Sequence, residues 1–225
     1  MLFTTEGIVL HFIKYKETSI ITKIYTSEFG LKSYIVNGIR TSKNNKIAFF
    51  QPLTLLNLVV YNRPSLTLNR ISEVRCSEPF LDLNKDPFKI MVSFFLAEII
   101  NKTVKEEMVN EELFRFIKNT LKTLDEMKEK TSNFPVIFLI KLSSFLGFFP
   151  SSGIQLLQFC EVNNFAEIEV DLLQSIVEAE YQNEIKIDGY TRKKILTLLI
   201  KFYSMNIEGM DSINSAKVLS DVLSK

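Results

Sequence analysis

Cysteine and histidine are scarce in this sequence of 225 residues, which holds two cysteines and one histidine. Cys76 and Cys160 are too few for a disulfide framework or a four-thiolate zinc site, and such sparing use of cysteine is typical of a reducing compartment. The single histidine, His11, lies in an apolar stretch and is predicted to pack there. The sequence therefore has too few histidines and cysteines for an ordinary His/Cys metal site, and no pattern of a Cys–His catalytic pair.

Long apolar runs are missing as well. The most apolar segments, residues 88–100 and 134–150, fall short of the roughly 18 apolar residues that a membrane-spanning helix needs. Glu6 interrupts the first apolar stretch, and no cleavage pattern of a secretory signal follows it. We expect both segments to be buried helices of a soluble intracellular protein.

Catalytic motifs are absent too. Neither G-x-x-x-x-G-K-[ST] nor G-x-G-x-x-G occurs, so the common nucleotide-binding loops are excluded. The acidic pairs Glu106–Glu107 and Glu111–Glu112 are better explained as solvated helix ends than as magnesium ligands. By elimination, we expect a protein that is not an enzyme and that uses no cofactor and no metal.

The formal net charge of +1 conceals an uneven distribution. Residues 1–80 hold 10 Lys and Arg against 5 Asp and Glu, whereas residues 81–225 hold 17 against 21. The positive excess in the first part indicates an anionic partner, although an excess of this size also arises by chance.

Strand signals fill the first 80 residues. Short β-branched and aromatic stretches are separated by turn signals such as Asn37–Gly38. The predicted strands are residues 7–13, 19–25, 31–36, 53–61 and 66–74. Five strands with tight turns and one longer connection predict a small closed barrel.

Lysine and tyrosine recur together on these strands. Lysine contacts phosphate groups, and an aromatic ring that stacks on a base contributes about 1–3 kcal/mol. Strand alternation places them on common faces, which is the pattern of a single-strand-binding surface and also of a solvated barrel exterior. The residues are Lys14, Tyr15 and Lys16 near the end of the first strand, Lys23 and Tyr25 in the second, and Lys32 and Tyr34 in the third.

From residue 82 the pattern becomes helical. Asp86 is a plausible cap, and Pro87 stands at the first helical position. Apolar spacing predicts helices over residues 88–100, 110–128, 134–146, 168–181, 190–205 and 215–223, while residues 151–164 are ambiguous. The sequence thus predicts a first domain over residues 1–80 and an all-α helical bundle domain over residues 81–225.

Two further basic clusters stand outside the strands. Arg40, Lys43 and Lys46 lie in the loop after the third strand, and loops on small barrels commonly carry binding groups. Arg192–Lys193–Lys194 lies at a predicted helix start, where each exposed cation opposes the helix dipole by about 0.3–1 kcal/mol. That placement indicates a partner-binding rim, although ordinary solvation of the helix explains it as well.

With these residues in view, the chain resembles the RecO family of bacterial DNA repair and recombination mediators. No single motif is specific, but the ordered set covers nearly the full length. In order, the matching segments are Glu6-Gly-Ile-Val-Leu10, Tyr15-Lys-Glu-Thr-Ser-Ile-Ile21, Tyr25-Thr-Ser-Glu-Phe-Gly30, Asn37-Gly-Ile-Arg40, Gln51-Pro-Leu53, Phe95-Leu-Ala-Glu-Ile99, Leu142 to Pro150, and Ser215-Ala-Lys-Val-Leu219.

The resemblance implies an N-terminal five-stranded OB-fold barrel and a C-terminal helical domain, an α+β multi-domain architecture. It implies binding of single- and double-stranded DNA, annealing of complementary strands, and assistance in loading the RecA recombinase. The implied partners are RecR and the single-strand DNA-binding protein, in the cytoplasm of a bacterium and associated with the nucleoid.

Two departures from the family pattern stand out. Asn37 replaces a lysine of the family's turn, which removes one candidate phosphate contact. Many family members carry a four-cysteine zinc module after the Gly-x-x-Pro element, where this chain offers only Cys160, so we predict a fold without a zinc ribbon. We expect apolar packing to hold this segment instead, through Leu156, Leu157, Phe159 and Phe165.

The hypothesis is a barrel that binds the phosphate backbone without sequence preference. One rival is a protein-interaction scaffold whose barrel binds DNA weakly or not at all. Another is a fragment of an OB-containing nuclease or ligase, which requires a metal or nucleotide site that the sequence does not show. The candidate phosphate contacts are Lys14, Lys16, Lys23, Lys32, Arg40, Lys43 and Lys46, the candidate stacking rings are Tyr15, Tyr34 and Tyr61, and the candidate partner-binding residues are Arg192, Lys193 and Lys194.

Overall fold

The computed structural model describes residues 1–40, 45–63, 66–104, 109–129 and 131–223. Its first part is built from five β-strands, in keeping with the β-branched stretches of the sequence. The strands are β1 (Leu2–Tyr15), β2 (Ser19–Thr26), β3 (Gly30–Val36), β4 (Leu55–Tyr61) and β5 (Leu68–Glu78).

The five strands close into a barrel in the order β1-β2-β3-β5-β4. Every neighbouring pair is antiparallel except β3 and β5, which run parallel and pair only over residues 33–35 and 68–70. A 3₁₀ helix, Asn45–Phe50, lies between β3 and β4. This closed five-stranded arrangement confirms the predicted OB-fold barrel.

β1 is longer than the sequence pattern predicts, because it serves two neighbours in succession. Its first residues pair with β4 and its later ones with β2, around Gly7. A Cβ atom on Gly7 would lie 2.6 Å from Cγ2 of Ile24 and 2.9 Å from Cδ1 of Leu58. A glycine is therefore needed where the strand passes this close to the barrel core.

The barrel interior is filled by alternate residues of the strands together with Phe50 from the 3₁₀ helix. Tyr34 lies among them, fully buried. Removal of this apolar surface from water is the main stabilising term for the barrel. The interior includes Val9, Ile20, Ile24, Val36, Leu56, Leu58, Val60 and Ile71.

Two helices complete the first compact unit, which spans residues 1–125. α1 (Pro87–Thr103) begins as predicted, since the Asp86 carboxylate accepts from the backbone N–H of Lys89 at 2.9 Å. α2 (Glu111–Glu126) is amphipathic and buries its apolar stripe. The predicted boundary at residue 80 marks the change from strands to helices and remains a proposal about where a functional domain ends.

The second compact unit spans residues 126–225 and is helical throughout its regular structure. The Tyr203 hydroxyl donates to the backbone carbonyl of Leu139 at 2.6 Å, and Phe148 packs edge-on against Phe202 and Tyr203. The helices are α3 (Phe134–Leu146), α4 (Gly153–Phe159), α5 (Glu167–Val177), α6 (Gly189–Asn206) and α7 (Asn214–Leu223).

The ambiguous segment 151–164 contains the short helix α4. Leu156 is fully buried as predicted, and Phe159, although 53% exposed, packs against Phe202 at 6.2 Å between ring centres. The segment is also held by polar contacts. The Gly153 N–H donates to the Gln174 side chain at 2.8 Å, and the Lys201 ammonium donates to the Cys160 carbonyl at 2.6 Å.

Candidate nucleic-acid interface

One end of the barrel brings the β1–β2 turn next to the segment that follows β3. The Arg40 guanidinium donates to the carbonyl of Lys16 at 3.2 Å, and the Arg40 N–H donates to the carbonyl of Thr18 at 3.0 Å. Ser19 Oγ donates to Asn37 Oδ1 at 3.1 Å and ties the same two segments together. Lys16 and Arg40, which are 24 residues apart in sequence, are thereby neighbours.

Lys14 and Tyr15 lie beside this pair. Lys14 is exposed, and Tyr15 is partly buried at the last position of β1. The Lys16 ammonium lies 5.4 Å from the centre of the Tyr15 ring, within the range of a cation–π contact. The structure therefore groups four of the sequence candidates, two lysines, a tyrosine and an arginine, at one end of the barrel. We call Lys14, Tyr15, Lys16 and Arg40 the turn cluster.

Lys23 lies farther along the outer face of the barrel, where it pairs with His11 and Ser33. His11 is exposed on this face, so the prediction that it packs within its apolar stretch is wrong. Loss of hydration and the nearby Lys23 charge lower the pKa of His11 below its ordinary value of 6.5. This face consequently presents Lys23 beside an imidazole whose pKa is lowered.

Tyr34 requires a correction, because it is fully buried and unavailable to stack on a base. Tyr34 and Lys32 share a strand face, as predicted, but that face is turned toward the barrel interior. Lys32 lies nearer to Gly30 than Tyr34 does, and it is partly exposed. Burial raises the pKa of Tyr34 far above its ordinary value of 10.0. Alternation identifies residues that share a face, but it does not say which face is inside.

Tyr25 is also covered. Its hydroxyl donates to the carbonyl of Asn110 at 3.1 Å, and its ring packs against Phe114 at 5.8 Å between centres. Burial raises its pKa to about 12. Tyr25 and Tyr34 thus serve packing, and the partly exposed Lys23 and Lys32 lie outside the turn cluster.

Tyr61 ends β4 and is 41% exposed. It pairs directly with Arg70 of β5, and Arg70 in turn pairs with Ile35 of β3. Arg70 is not among the residues predicted from the sequence, because the neighbours of β5 are set by long-range pairing. The strand itself contains a usable signal, since Arg70, Glu73 and Arg75 are its exposed charged positions.

Lys46 is exposed in the 3₁₀ helix and lines a groove beside β5 together with Arg70 and Arg75. Lys43 lies outside the residues that the structure describes, as do Glu106 and Glu107. Of the phosphate candidates that are described, the structure groups Lys14, Lys16 and Arg40, and sets Lys46 on the neighbouring groove.

The predicted partner-binding residues of the helical unit play three different roles. Arg192 is half-buried, donates to Asn133 Oδ1 at 2.9 Å and to the Ile187 carbonyl, and burial lowers its pKa. The Lys194 ammonium donates to Glu169 at 2.7 Å and lies 4.1 Å from the centre of the Phe165 ring. Lys193 is the most exposed of the three, with Asp221 at 3.6 Å.

A shallow groove of about 360 Å³ lies beside Lys193 and Lys194. Its floor includes Phe165 and Leu198, Lys201 adds a third ammonium group, and Tyr190 is 75% exposed. Arg192 does not line this groove, because its side chain is directed toward Asn133 and Ile187. Of the three predicted rim residues, Lys193 and Lys194 line this groove, together with Lys201.

Sequence comparison places this architecture in a known family. A family model described as "Recombination protein O N terminal" matches residues 1–80, and one described as "Recombination protein O C terminal" matches residues 84–152. The chain is similar to the DNA repair protein RecO of Flavobacterium psychrophilum, with 32% identity over 100% of both chains. The chain belongs to the RecO family of DNA repair proteins.

Other RecO proteins support the same assignment. The DNA repair protein RecO of Flavobacterium johnsoniae is 31% identical over 100% of both chains. That of Bacteroides fragilis is 40% identical over 67% of this chain and 63% of its own length. The RecO resemblance predicted from the ordered motifs is thus confirmed.

Three further structural findings concern membrane spans, metal ligands and the Cys160 thiol. In the described ranges, no helix is both long enough and apolar enough to cross a membrane. Within the same ranges, no three His, Cys, Asp or Glu side chains are grouped as metal ligands would be. Cys160 is buried, and burial raises the pKa of its thiol.

Proposed function

We propose that the barrel of this RecO family member binds the sugar–phosphate backbone of DNA at the turn cluster without sequence preference. The observation that carries the proposal is the contact between Arg40 and Lys16, which brings two sequence-distant cations to one end of the barrel. Lys14 adds a third positive charge, and Tyr15 is the aromatic ring beside them. All these residues lie within residues 1–80, which we propose as the DNA-binding domain.

Binding of both single and double strands follows from contacts that recognise phosphate rather than bases. Annealing then requires no catalytic residue, since a cationic surface that holds two complementary strands lowers their repulsion and raises their local concentration. We therefore propose a mediator of recombination that is not an enzyme and that acts in the bacterial cytoplasm at the nucleoid.

The helical unit offers a place for a protein partner. A groove that is lined by Phe165 and Leu198 and bordered by the exposed ammonium of Lys193 suits the acidic tail of a single-strand DNA-binding protein. We propose this protein and RecR as partners, and we propose that RecA loading is assisted through them. Lys193 is the residue to test first, because its ammonium is the most exposed of the predicted three.

The proposal is tested by titrating oligothymidylate into the wild-type chain over a range of salt concentrations. Removing two phosphate contacts with Lys16→Gln and Arg40→Gln should lower the slope of log affinity against log salt by about 1.4, at about 0.7 for each contact on single strands. A control with Lys85→Gln and Arg115→Gln removes the same charge from exposed positions outside the barrel. Equal slopes in both double variants would contradict the assignment.

Two observations favour the scaffold as a second candidate. Tyr34 is buried and Asn37 stands where the family has a lysine, so the surface has fewer DNA contacts than the motifs imply. In that case the chain would co-purify with RecR but would not shift DNA at low salt. The same titration, begun at low ionic strength, separates the two candidates.

A further inference from the structure

The barrel has a gap between β3 and β5. The two strands pair only through Ser33, Tyr34 and Ile35 on β3, and β3 ends at Val36, while β5 continues to Glu78. On that side, beyond Arg70, β5 has no strand partner in the part of the chain that is described. The 3₁₀ helix approaches the gap and leaves a groove of about 620 Å³.

The charge of the groove is mainly positive. Lys46 lines one wall, and Arg70 and Arg75 line the β5 wall, with Glu73 as the acidic residue between them. Arg75 and Glu73 are 82% and 63% exposed and 3.9 Å apart, a separation and exposure at which an ion pair contributes little. The Arg75 guanidinium therefore keeps most of its attraction for an anionic ligand.

The groove adjoins the region of the turn cluster at one end and Tyr61 at the other. Asn37 belongs both to the groove and to the hydrogen bond that joins the β1–β2 turn to the end of β3. At the other end, Arg70 pairs with Tyr61, whose ring is exposed. A strand held at the turn cluster would thus meet further cations and then an aromatic ring along one side of the barrel.

An unpaired strand edge also attracts peptides by β-strand addition, but the shape of β5 opposes it. Val59 and Val60 of β4 pair with Glu73 and Ile71, so Ser72 is an extra residue, and Ser77 is extra in the same way between Cys76 and Glu78. Such bulges bend and twist a strand and interrupt the regular ladder that an added strand needs. Backbone phosphates, which need cations rather than a regular ladder, suit this edge better.

We propose that the groove between the 3₁₀ helix and β5 is a second DNA-backbone site, in which Lys46, Arg70 and Arg75 contact the phosphates of a single strand. Tyr61, beside Arg70, is the ring on which a base of that strand stacks. The proposal rests on the DNA binding proposed above and extends it from the turn cluster to a part of the barrel that no motif indicated.

Cys76 provides a built-in reporter, because it lines the groove, whereas the other cysteine, Cys160, is fully buried. The rate at which a maleimide modifies the wild-type chain is measured with and without saturating oligothymidylate. We expect DNA to slow the modification of Cys76 several-fold, and 1 M salt, which releases the DNA, to restore the rate. Oligothymidylate that is bound but leaves the rate unchanged would overturn the second site and leave β5 as an edge for a peptide.

Charge-removal variants provide an independent readout. Arg70→Gln with Arg75→Gln should lower the salt slope by about 1.4 and abolish the protection of Cys76. The control with Lys85→Gln and Arg115→Gln should preserve both. If the Arg70 and Arg75 variant keeps the wild-type slope while Lys16→Gln with Arg40→Gln lowers it, the turn cluster stands and the second site is refuted. If oligothymidylate binds none of these proteins, the proposed function itself fails.

Discussion

The ammonium of Lys118 on α2 donates to both carboxylate oxygens of Glu6 on β1, at 2.8 and 2.9 Å. Ser77 Oγ donates to the same carboxylate at 3.0 Å, and Glu78 lies 3.7 Å from the Lys118 ammonium. The Glu78 carboxylate also accepts Lys122 at 2.7 Å. Two lysines of α2 thus alternate with two glutamates of the barrel, and this contact joins the second helix to the strands.

Replacing Lys118 with methionine should destabilise the first unit. The substitution keeps the aliphatic stem but leaves Glu6 and Glu78 close together without the cation between them. We expect a loss of about 1–2 kcal/mol in the free energy of unfolding, below the value for a fully buried pair because both carboxylates are about one-third exposed. Urea unfolding measures this loss. As a control, Arg115→Met breaks an exposed ion pair on the same helix and should lower the free energy of unfolding by less than about 0.5 kcal/mol.

The same contact predicts how stability depends on pH. Hydrogen bonding to Lys122 lowers the pKa of Glu78 below its ordinary 4.5, and hydrogen bonding to Glu6 raises the pKa of Lys118 above its ordinary 10.5. The contribution of Glu78 is therefore present above pH 4.5 and lost as pH falls through the lowered value. That of Lys118 is present below pH 10.5 and lost as pH rises through the raised value.

Urea unfolding of the wild type and Lys118→Met at several pH values tests this dependence. The difference between the two proteins should be largest near neutral pH and should shrink both below pH 4.5 and above pH 10.5. A difference that stays constant down to pH 3 would mean that the network contributes through packing rather than charge.

Tyr34→Phe tests whether this ring belongs to the barrel core. In the described residues, its buried hydroxyl has no hydrogen-bond partner of normal geometry. Removing that hydroxyl should leave the free energy of unfolding unchanged or raise it by up to about 1 kcal/mol, and should not alter DNA affinity. Tyr15→Ala, in contrast, should weaken single-strand binding by about 1–3 kcal/mol. If a stably folded Tyr34→Phe variant binds DNA more weakly than the wild type, Tyr34 contacts DNA after all.

Arg192→Ala and Lys193→Ala should separate stability from partner binding in the helical unit. Because Arg192 is half-buried and donates to Asn133 and to the Ile187 carbonyl, its loss should cost about 1–3 kcal/mol of stability. Lys193→Ala should change stability by less than about 0.5 kcal/mol while weakening the binding of an acidic peptide. Calorimetric unfolding and fluorescence anisotropy measure the two effects. If Arg192→Ala weakened peptide binding and Lys193→Ala lowered stability instead, Arg192 would be the rim residue and Lys193 would not.

Several features of the fold were predictable because they depend on local chemistry. The Asp86–Pro87 start of α1, the helix Phe134–Leu146 and the boundaries of β2 and β3 follow from capping, apolar runs and turn residues that act over a few positions. β1 begins at Leu2 rather than at Gly7 because pairing with β4 holds its first residues in the strand.

The candidate site was predictable only in part. Lys14, Lys16 and Arg40 are predicted by residue type alone, and they lie together because two loops meet at one end of the barrel. Tyr34 was misplaced because β3 carries apolar residues on both faces, so alternation could not identify the inner one. Arg70 and Arg75 were missed because their neighbours come from β3, β4 and the 3₁₀ helix.

By itself, the sequence determined the order of strands and helices, the family and the surplus of positive charge in the first 80 residues, since these depend on residue type and short-range pattern. Only the tertiary structure decided which tyrosines face the core and which cations gather. Those outcomes depend on barrel closure, which fixes the inner face of every strand at once. They depend equally on the early end of the β3–β5 pairing, which leaves Lys46, Arg70 and Arg75 around a single groove.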